Sequence, residues 1–446
     1  MRRSRSRGWT CALALLLALL CMGCGLEGGV DKLFSLPELS DEYLELQRVI
    51  DGVRATGAVY CAPEAGSHRQ SVQLYDINGD GTQEALVFFS VAGERPLKIY
   101  VFIKNEQGYE TAAVIEGDGD GIESIDYVDM DGDGWTEAVV GWGMGPDLKM
   151  LSIYALKGFQ VSAIATADYA QYTAADMDGD GRTELLVYHR AAETENYGSV
   201  ELFSLNADGE TESTLTRISA GMDTVSRFSV SALKDLPAAL YVEGTCAGGM
   251  VTDILTYTDG VLRNITLSET SGVSDGTLRT SAVGFRDLNG DGVVEIPIPR
   301  TLPAQGETVY RVLDWYGYNS RGKRTIVMTT YHNYSDSWYL ILPDEWGDAI
   351  SIRREDSDAG ERGVVFSLWN GQGEPVSDFL TIYAISGENR EVLAVKDDRF
   401  VLYRGVEVLY AAKLHMSRSQ WSLAPDITEL RSRFKLIYSE WISGIQ

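Results

Sequence analysis

One phrase recurs four times in this chain and dictates what the rest must accommodate: an acidic loop punctuated by glycine, followed at once by an apolar run. It stands first as Asp76-Ile77-Asn78-Gly79-Asp80-Gly81-Thr82-Gln83-Glu84 before Ala85-Leu86-Val87-Phe88-Phe89. It returns as Asp129, Asp131, Asp133, Gly134 and Glu137 before Ala138-Val139-Val140, and as Asp176, Asp178, Asp180, Gly181 and Glu184 before Leu185-Leu186-Val187-Tyr188. The fourth copy is Asp287, Asn289, Asp291, Gly292 and Glu295 before Ile296-Pro297-Ile298. Short apolar runs bounded by turn residues read as buried strands. A chain that carries four of them in register with one loop is a repeat protein built from strands.

The first aspartates lie at 76, 129, 176 and 287, and the last gap is close to two units of about 55 residues. A copy is therefore missing near residue 230. Ser229 to Val242 fills the gap: Ala238-Ala239-Leu240-Tyr241-Val242 keeps the apolar run, while Lys234 and Leu236-Pro237 replace the carboxylates. A second feature repeats in step. Each unit continues into alternating strands joined by a turn, at Asn105 to Gly108, near Gly158, at Asp208-Gly209, at Asp259-Gly260 and near Gly322, and Asp-Gly between such strands is a strong hairpin signal. Units of about fifty residues, each worth about four strands, predict a mainly β protein, a β-propeller of five to six blades.

The loop spacing carries chemistry. Asp-x-Asp/Asn-x-Asp-Gly-x-x-Glu places side-chain oxygens at positions 1, 3, 5 and 9, leaves a backbone carbonyl at position 7, and uses glycine at position 6 for the reversal. The predicted ligands are Asp76, Asn78, Asp80, Thr82 and Glu84; Asp129, Asp131, Asp133, Trp135 and Glu137; Asp176, Asp178, Asp180, Arg182 and Glu184; and Asp287, Asn289, Asp291, Val293 and Glu295, with the seventh residue acting through its carbonyl. Six or more hard oxygen ligands at about 2.3–2.6 Å suit calcium, whereas zinc wants His or Cys and magnesium a stiffer octahedron. Up to four structural calcium ions are expected. The copies with Asn78 and Asn289 hold one carboxylate fewer and should bind more weakly.

Helices flank the calcium loops of helix-loop-helix proteins, whereas these loops run into strands. They resemble the FG-GAP and VCBS-type repeats of integrin α-subunit propellers and bacterial surface proteins, over about residues 60 to 335. The resemblance is to the calcium loop and the period: Glu replaces Asp at position 9, and no clear Phe-Gly/Gly-Ala-Pro pair marks each unit. It implies that the metal is structural and that function lies in the loops of one propeller face.

The formal net charge of −27 argues against a nucleic-acid partner, which would need clustered Lys and Arg. Residues 1–23 read as a signal peptide: Arg2, Arg3, Arg5 and Arg7 precede an apolar stretch from Cys11 to Leu20 too short for an ordinary membrane span. Its end, Leu20-Cys21-Met22-Gly23-Cys24, resembles a bacterial lipoprotein signal and makes Cys24 the candidate for lipidation. Residues 24–36 form a tether, and 37–57 hold a helix started by Ser40, with Leu46, Val49, Ile50 and Val53 on one face. Cys61 and Cys246 are either one bridge or two separate thiols. The repeats fill 58–335, and 336–446 read as a small C-terminal α+β domain closed by a helix capped at Asp426, with Leu430, Phe434, Ile437 and Trp441 on its apolar face.

No nucleophile elbow, phosphate loop or spaced pair among His68, His189, His332 and His415 announces catalysis. The function that follows is a non-catalytic, membrane-anchored surface protein binding a protein or glycan. The alternative is an extracellular carbohydrate-active enzyme, a glycosidase or lyase, because a carboxylate pair leaves no motif. Trp142, Trp315, Trp338 and Trp346 are either core residues or stacking platforms for sugars.

Overall fold

A computed structural model describes residues 41–206, 209–302, 308–357, 360–371 and 375–438. The signal, the tether, Cys24, Asp208 and Trp441 lie outside the described residues. The protein is mainly β, with six antiparallel sheets that follow one another along the chain. Sheet 1 holds β1 (Val59–Tyr60) and β2 (Val72–Tyr75), both paired with β3 (Glu84–Ser90), then β4 (Leu97–Asn105) and β5 (Gly108–Gly117). Sheet 2 is β6 (Gly121–Val128), β7 (Glu137–Gly143), β8 (Lys149–Ala155) and β9 (Ser162–Asp168), and sheet 3 is β10 (Gln171–Ala175), β11 (Glu184–His189), β12 (Ser199–Leu205) and β13 (Thr211–Arg217). Sheet 4 is β14 (Thr224–Leu233), β15 (Leu236–Cys246), β16 (Gly249–Thr258) and β17 (Val261–Asn264). Sheet 5 contains β18 (Ile296–Thr301), β19 (Arg311–Tyr318), β20 (Arg324–Asn333) and β21 (Trp338–Leu342). Sheet 6 contains β22 (Ile350–Ser357), β23 (Glu361–Leu368), β24 (Ser377–Ser386), β25 (Phe400–Arg404) and β26 (Val408–Leu414).

The apolar run is an inner strand in sheets 1 to 4, as β3, β7, β11 and β15, and is buried on both faces there, which is why it does not alternate with polar residues; in sheet 5 it is the edge strand β18. In β3, Leu86 and Phe88 pack with Ile125 and Val140 of sheet 2. The same relation joins Val139 to Leu185 between sheets 2 and 3, Leu186 to Leu240 between sheets 3 and 4, and Tyr241 to Ile296 between sheets 4 and 5. Trp338 and Leu340 meet Ile352 and Phe366 between sheets 5 and 6. No hydrophobic cluster formed by the described residues joins sheet 6 to sheet 1. The far face of sheet 1 carries Leu46 and Ile50 of helix α1 (Asp41–Arg54) against Ala85, Val87 and Phe89. The far face of sheet 6 carries Leu393 and Ala394, at the end of helix α2 (Arg390–Leu393), against Ile385 and Leu409. Burial at roughly 1.5–3 kcal/mol per large apolar side chain makes these contacts the main adhesive between sheets.

Three expectations need correction. The boundary at 335/336 runs through sheet 5, since β21 pairs with β20 from Asn333↔Trp338 to Thr329↔Leu342. The segment beyond it is dominated by strands: 350–414 hold a five-stranded antiparallel sheet, and its described α-helices, Arg390–Leu393 and Ile427–Arg433, are only 4 and 7 residues long. The closing helix α3 (Ile427–Arg433) starts as expected, with Asp426 accepting from the Glu429 amide at 2.9 Å, but ends before Phe434. Phe434–Leu436 instead form β27, paired with β21 in sheet 5, because apolar Phe434 and Ile437 satisfy a buried strand edge as well as a helix face. Trp142, Trp315, Trp338 and Trp346 are all buried, which removes them as sugar platforms. Cys61 and Cys246 are both free thiols.

Candidate metal centres

In sheets 1 to 3 the acidic loop links the strand that ends at Tyr75, Val128 or Ala175 to β3, β7 or β11, and in sheet 5 it precedes the first strand, β18, with Arg286 and Glu295 bridged at its neck. All four share one hydrogen-bond frame. The position 1 carboxylate accepts the amide of position 6: Asp76 from Gly81 at 2.9 Å, Asp129 from Gly134 at 3.1 Å, Asp176 from Gly181 at 3.0 Å and Asp287 from Gly292 at 2.9 Å. The position 3 oxygen accepts the amide of position 5, in Asn78, Asp131, Asp178 and Asn289 alike. The position 5 carboxylate then accepts the amide of position 7, from Thr82, Trp135, Arg182 and Val293 at 2.7–2.9 Å. The glutamate closes the neck: Glu84, Glu137, Glu184 and Glu295 are buried and accept the amides of Ile77, Met130, Met177 and Leu288 at 2.8–3.0 Å.

Two signals in these loops escaped the sequence reading. Position 4 is glycine in every copy, and Gly79, Gly132, Gly179 and Gly290 all adopt positive φ, as do the expected position 6 glycines. A side chain on Gly79 would place its Cβ 2.9 Å from the Gly134 carbonyl oxygen, so the first two loops abut. Position 2 is always apolar, and Ile77, Met130 and Met177 are fully buried plugs that fix the loop to its sheet. The loops also touch in series. Thr136 donates its amide to the Ile77 carbonyl at 2.8 Å, the Gly132 Cβ position lies 3.5 Å from Arg182, and that of Gly179 lies 3.7 Å from Pro237. In sheet 4 the expected acidic loop is reduced to the tight turn Lys234–Asp235 between β14 and β15, so the strand survives without the loop.

In the second and third loops, carboxylate oxygens of Asp129, Asp131 and Glu137, and of Asp176, Asp178 and Glu184, lie within 4.8 Å of one another. The position 5 carboxylates stand outside these trios: Asp133 is held by Lys157 and Asp180 faces Arg182 at 3.9 Å. In the Asn-bearing loops the amide does part of a cation's work, since Asn78 donates to Asp80 at 3.1 Å and Asn289 donates to Asp291 at 2.9 Å and Glu295 at 3.2 Å. Burial first, then the neighbouring aspartates, pushes Glu137, Glu184 and Glu295 up to about 7 and raises Glu84. Three convergent carboxylates, one buried, with no protein cation inside the trio, are the donor set that a hard divalent ion satisfies.

The sign of this shift gives a test. The unfolded glutamate ionises near 4.5 and the metal-free folded one near 7, so the glutamate's contribution to metal-free stability falls as pH rises through that window and is constant outside it. Metal uptake at pH 6 should then release about one proton per all-carboxylate loop, and close to none at pH 8. Calorimetry in buffers of different ionisation enthalpy reads the proton count; a buffer-independent enthalpy at pH 6 would contradict the ligand role of Glu137 and Glu184.

Residues 76–140, which contain the first two loops, match the FG-GAP-like repeat family. The match supports a repeat protein of FG-GAP type. A comparison with curated proteins found no match. Among solved structures, the crystal structure of Saccharomyces cerevisiae Sqt1 aligns over 71% of this chain and 82% of that chain, at 11% sequence identity and a TM-score of 0.28.

Proposed function

We propose that this chain is a lipid-anchored bacterial surface protein whose six sheets are the blades of a propeller-type array. Calcium at the acidic loops braces the array, and one face of it binds a protein or glycan without catalysis. The observation that carries the reading is the row of loops: they contact one another across sheet boundaries, so ions held there would tie blade to blade. By antiparallel register, the ends of β7, β8, β10 and β11 at Gly143, Lys149, Gln171 and Tyr188 lie away from the loops, at the other end of each sheet. That end is left to the variable connections, the usual place for recognition on a rigid scaffold.

The anchor is tested by Cys24→Ala in a bacterial host. The variant is expected to move from the membrane to the soluble fraction, with its calcium-dependent melting unchanged. Retention of the variant at the membrane would sink the lipoprotein assignment while leaving the metal reading intact.

A further inference from the structure

We infer that a cleft between the first strands of sheets 2 and 3 is a binding site for a neutral sugar ring. The inference rests on the ligand-binding reading above and names its site and ligand class. The cleft has a volume of about 550 Å³ and is lined by β6, the start of β10 and the segment at Ala65-Gly66. That segment is pinned to β6 by the Glu64 and Ala65 amides, which donate to the Ile122 and Glu123 carbonyls.

Its polar groups converge from three elements. Tyr172 of β10 donates its hydroxyl to Asp126 at 2.7 Å and lies 2.9 Å from the Ser124 hydroxyl, both on β6. His68 backs Asp126 at 3.5 Å, and its ring stands edge-on to Tyr127, which stacks on Tyr75 at 4.3 Å between centroids. Glu123 is paired with Lys149. Tyr169, more than nine-tenths buried, lines the cleft and sets its hydroxyl over Gly141 beside that of Ser124. It fits only because residue 141 is glycine: a Cβ there would fall 2.2 Å from the Tyr169 hydroxyl and 2.7 Å from that of Ser124.

This balance selects the ligand. An open row of carboxylates would favour a cation, but here Glu123 already has Lys149, and Asp126 has Tyr172 and His68. What the cleft offers is one carboxylate edge, hydroxyls that both donate and accept, and tyrosine rings. Vicinal hydroxyls on a ring with apolar C–H faces match that set, because they can both donate to the remaining Asp126 oxygen edge and exchange hydrogen bonds with the Ser124 and Tyr172 hydroxyls. The acidic surroundings disfavour an anionic sugar.

The test uses the full chain in detergent with calcium and a panel of neutral trisaccharides of glucose, galactose, mannose and N-acetylglucosamine, read by titration calorimetry. At least one is expected to bind, with Asp126→Asn and Tyr172→Phe each weakening it by about tenfold or more, the loss of a charge-assisted or hydroxyl hydrogen bond. Glu195→Gln, on an exposed connection, should leave the affinity unchanged. Calcium-dependent melting checks that each variant folds, and Ser124→Ala replaces any that does not. No binding by any trisaccharide up to about 10 mM, undiminished binding by D126N and Y172F, or binding of a lysine-rich decapeptide in place of the sugars would overturn the inference. None of these results would touch the membrane anchor or the calcium loops.

Discussion

Excess EDTA added to the calcium-loaded protein is expected to lower its melting temperature by on the order of 10 °C. An ion that binds only the folded state adds about 2.7 kcal/mol at a hundredfold excess over its dissociation constant. Several such sites, with about 2–4 °C per kcal/mol for a domain of 150–250 residues and less for a longer chain, give a shift of this size. The effect should concentrate, above about pH 7, in the all-carboxylate loops, where no proton or side-chain amide then relieves the repulsion around Glu137 and Glu184. Asp129→Asn and Asp176→Asn should therefore each remove a larger share of the calcium-dependent shift than Asp76→Asn or Asp287→Asn. Calcium should restore the shift and magnesium restore less of it, since the loops lack a rigid octahedron. A melting temperature indifferent to EDTA and calcium would remove the metal assignment altogether.

The second large effect lies in the one repeat that has lost its loop. Sheet 4 is pinned by a fully buried ion pair between Arg279 and Glu243. Arg279 also donates to Thr252 Oγ1 and the Thr277 carbonyl at 3.0 Å and to the Val283 carbonyl at 3.1 Å, and Glu243 accepts the Phe285 amide at 3.1 Å. Beside it the buried Asp253, pushed up by burial, accepts from Ser219, Ser274 and Asn264. Arg279→Ala should cost about 3–5 kcal/mol, because it takes the guanidinium from a buried carboxylate and leaves Glu243 only the Phe285 amide, the Thr252 hydroxyl and Arg227 at 3.9 Å. The double replacement Arg279→Met with Glu243→Leu should recover most of that loss. Denaturant midpoints measured with and without calcium decide both points: the R279A loss should be the same in EDTA. A loss that appears only in calcium would mean that the network serves the loops rather than sheet 4.

The period, the hairpins and the missing fourth loop were legible because each rests on local chemistry. Asp-Gly turns, glycine-permitted reversals and apolar runs are decided within a dozen residues. Within the loops, the carboxylate spacing was readable, but the gathering was not uniform: Asp180 turns to Arg182 of its own loop, and Asp133 to Lys157, 24 residues on, which loop spacing does not encode. The cleft around Asp126 and Tyr172 was invisible, since its groups come from strands 46 residues apart and share no motif. The far end of the chain was misread for a related reason. Phe434 and Ile437 keep helical spacing with Leu430, and only the open edge of β21 decides in favour of a strand.

That last strand has a consequence for the order in which the molecule assembles. β27 follows the whole of sheet 6 in the chain yet lies against β21, so sheet 6 is an excursion made between two neighbouring strands of sheet 5. A nascent chain can zip sheets 1 to 4 as each leaves the ribosome, but sheet 5 waits with a bare edge until some ninety further residues have been made. β27 thus works as a latch, seating on sheet 5 only after the strands of sheet 6 have been made.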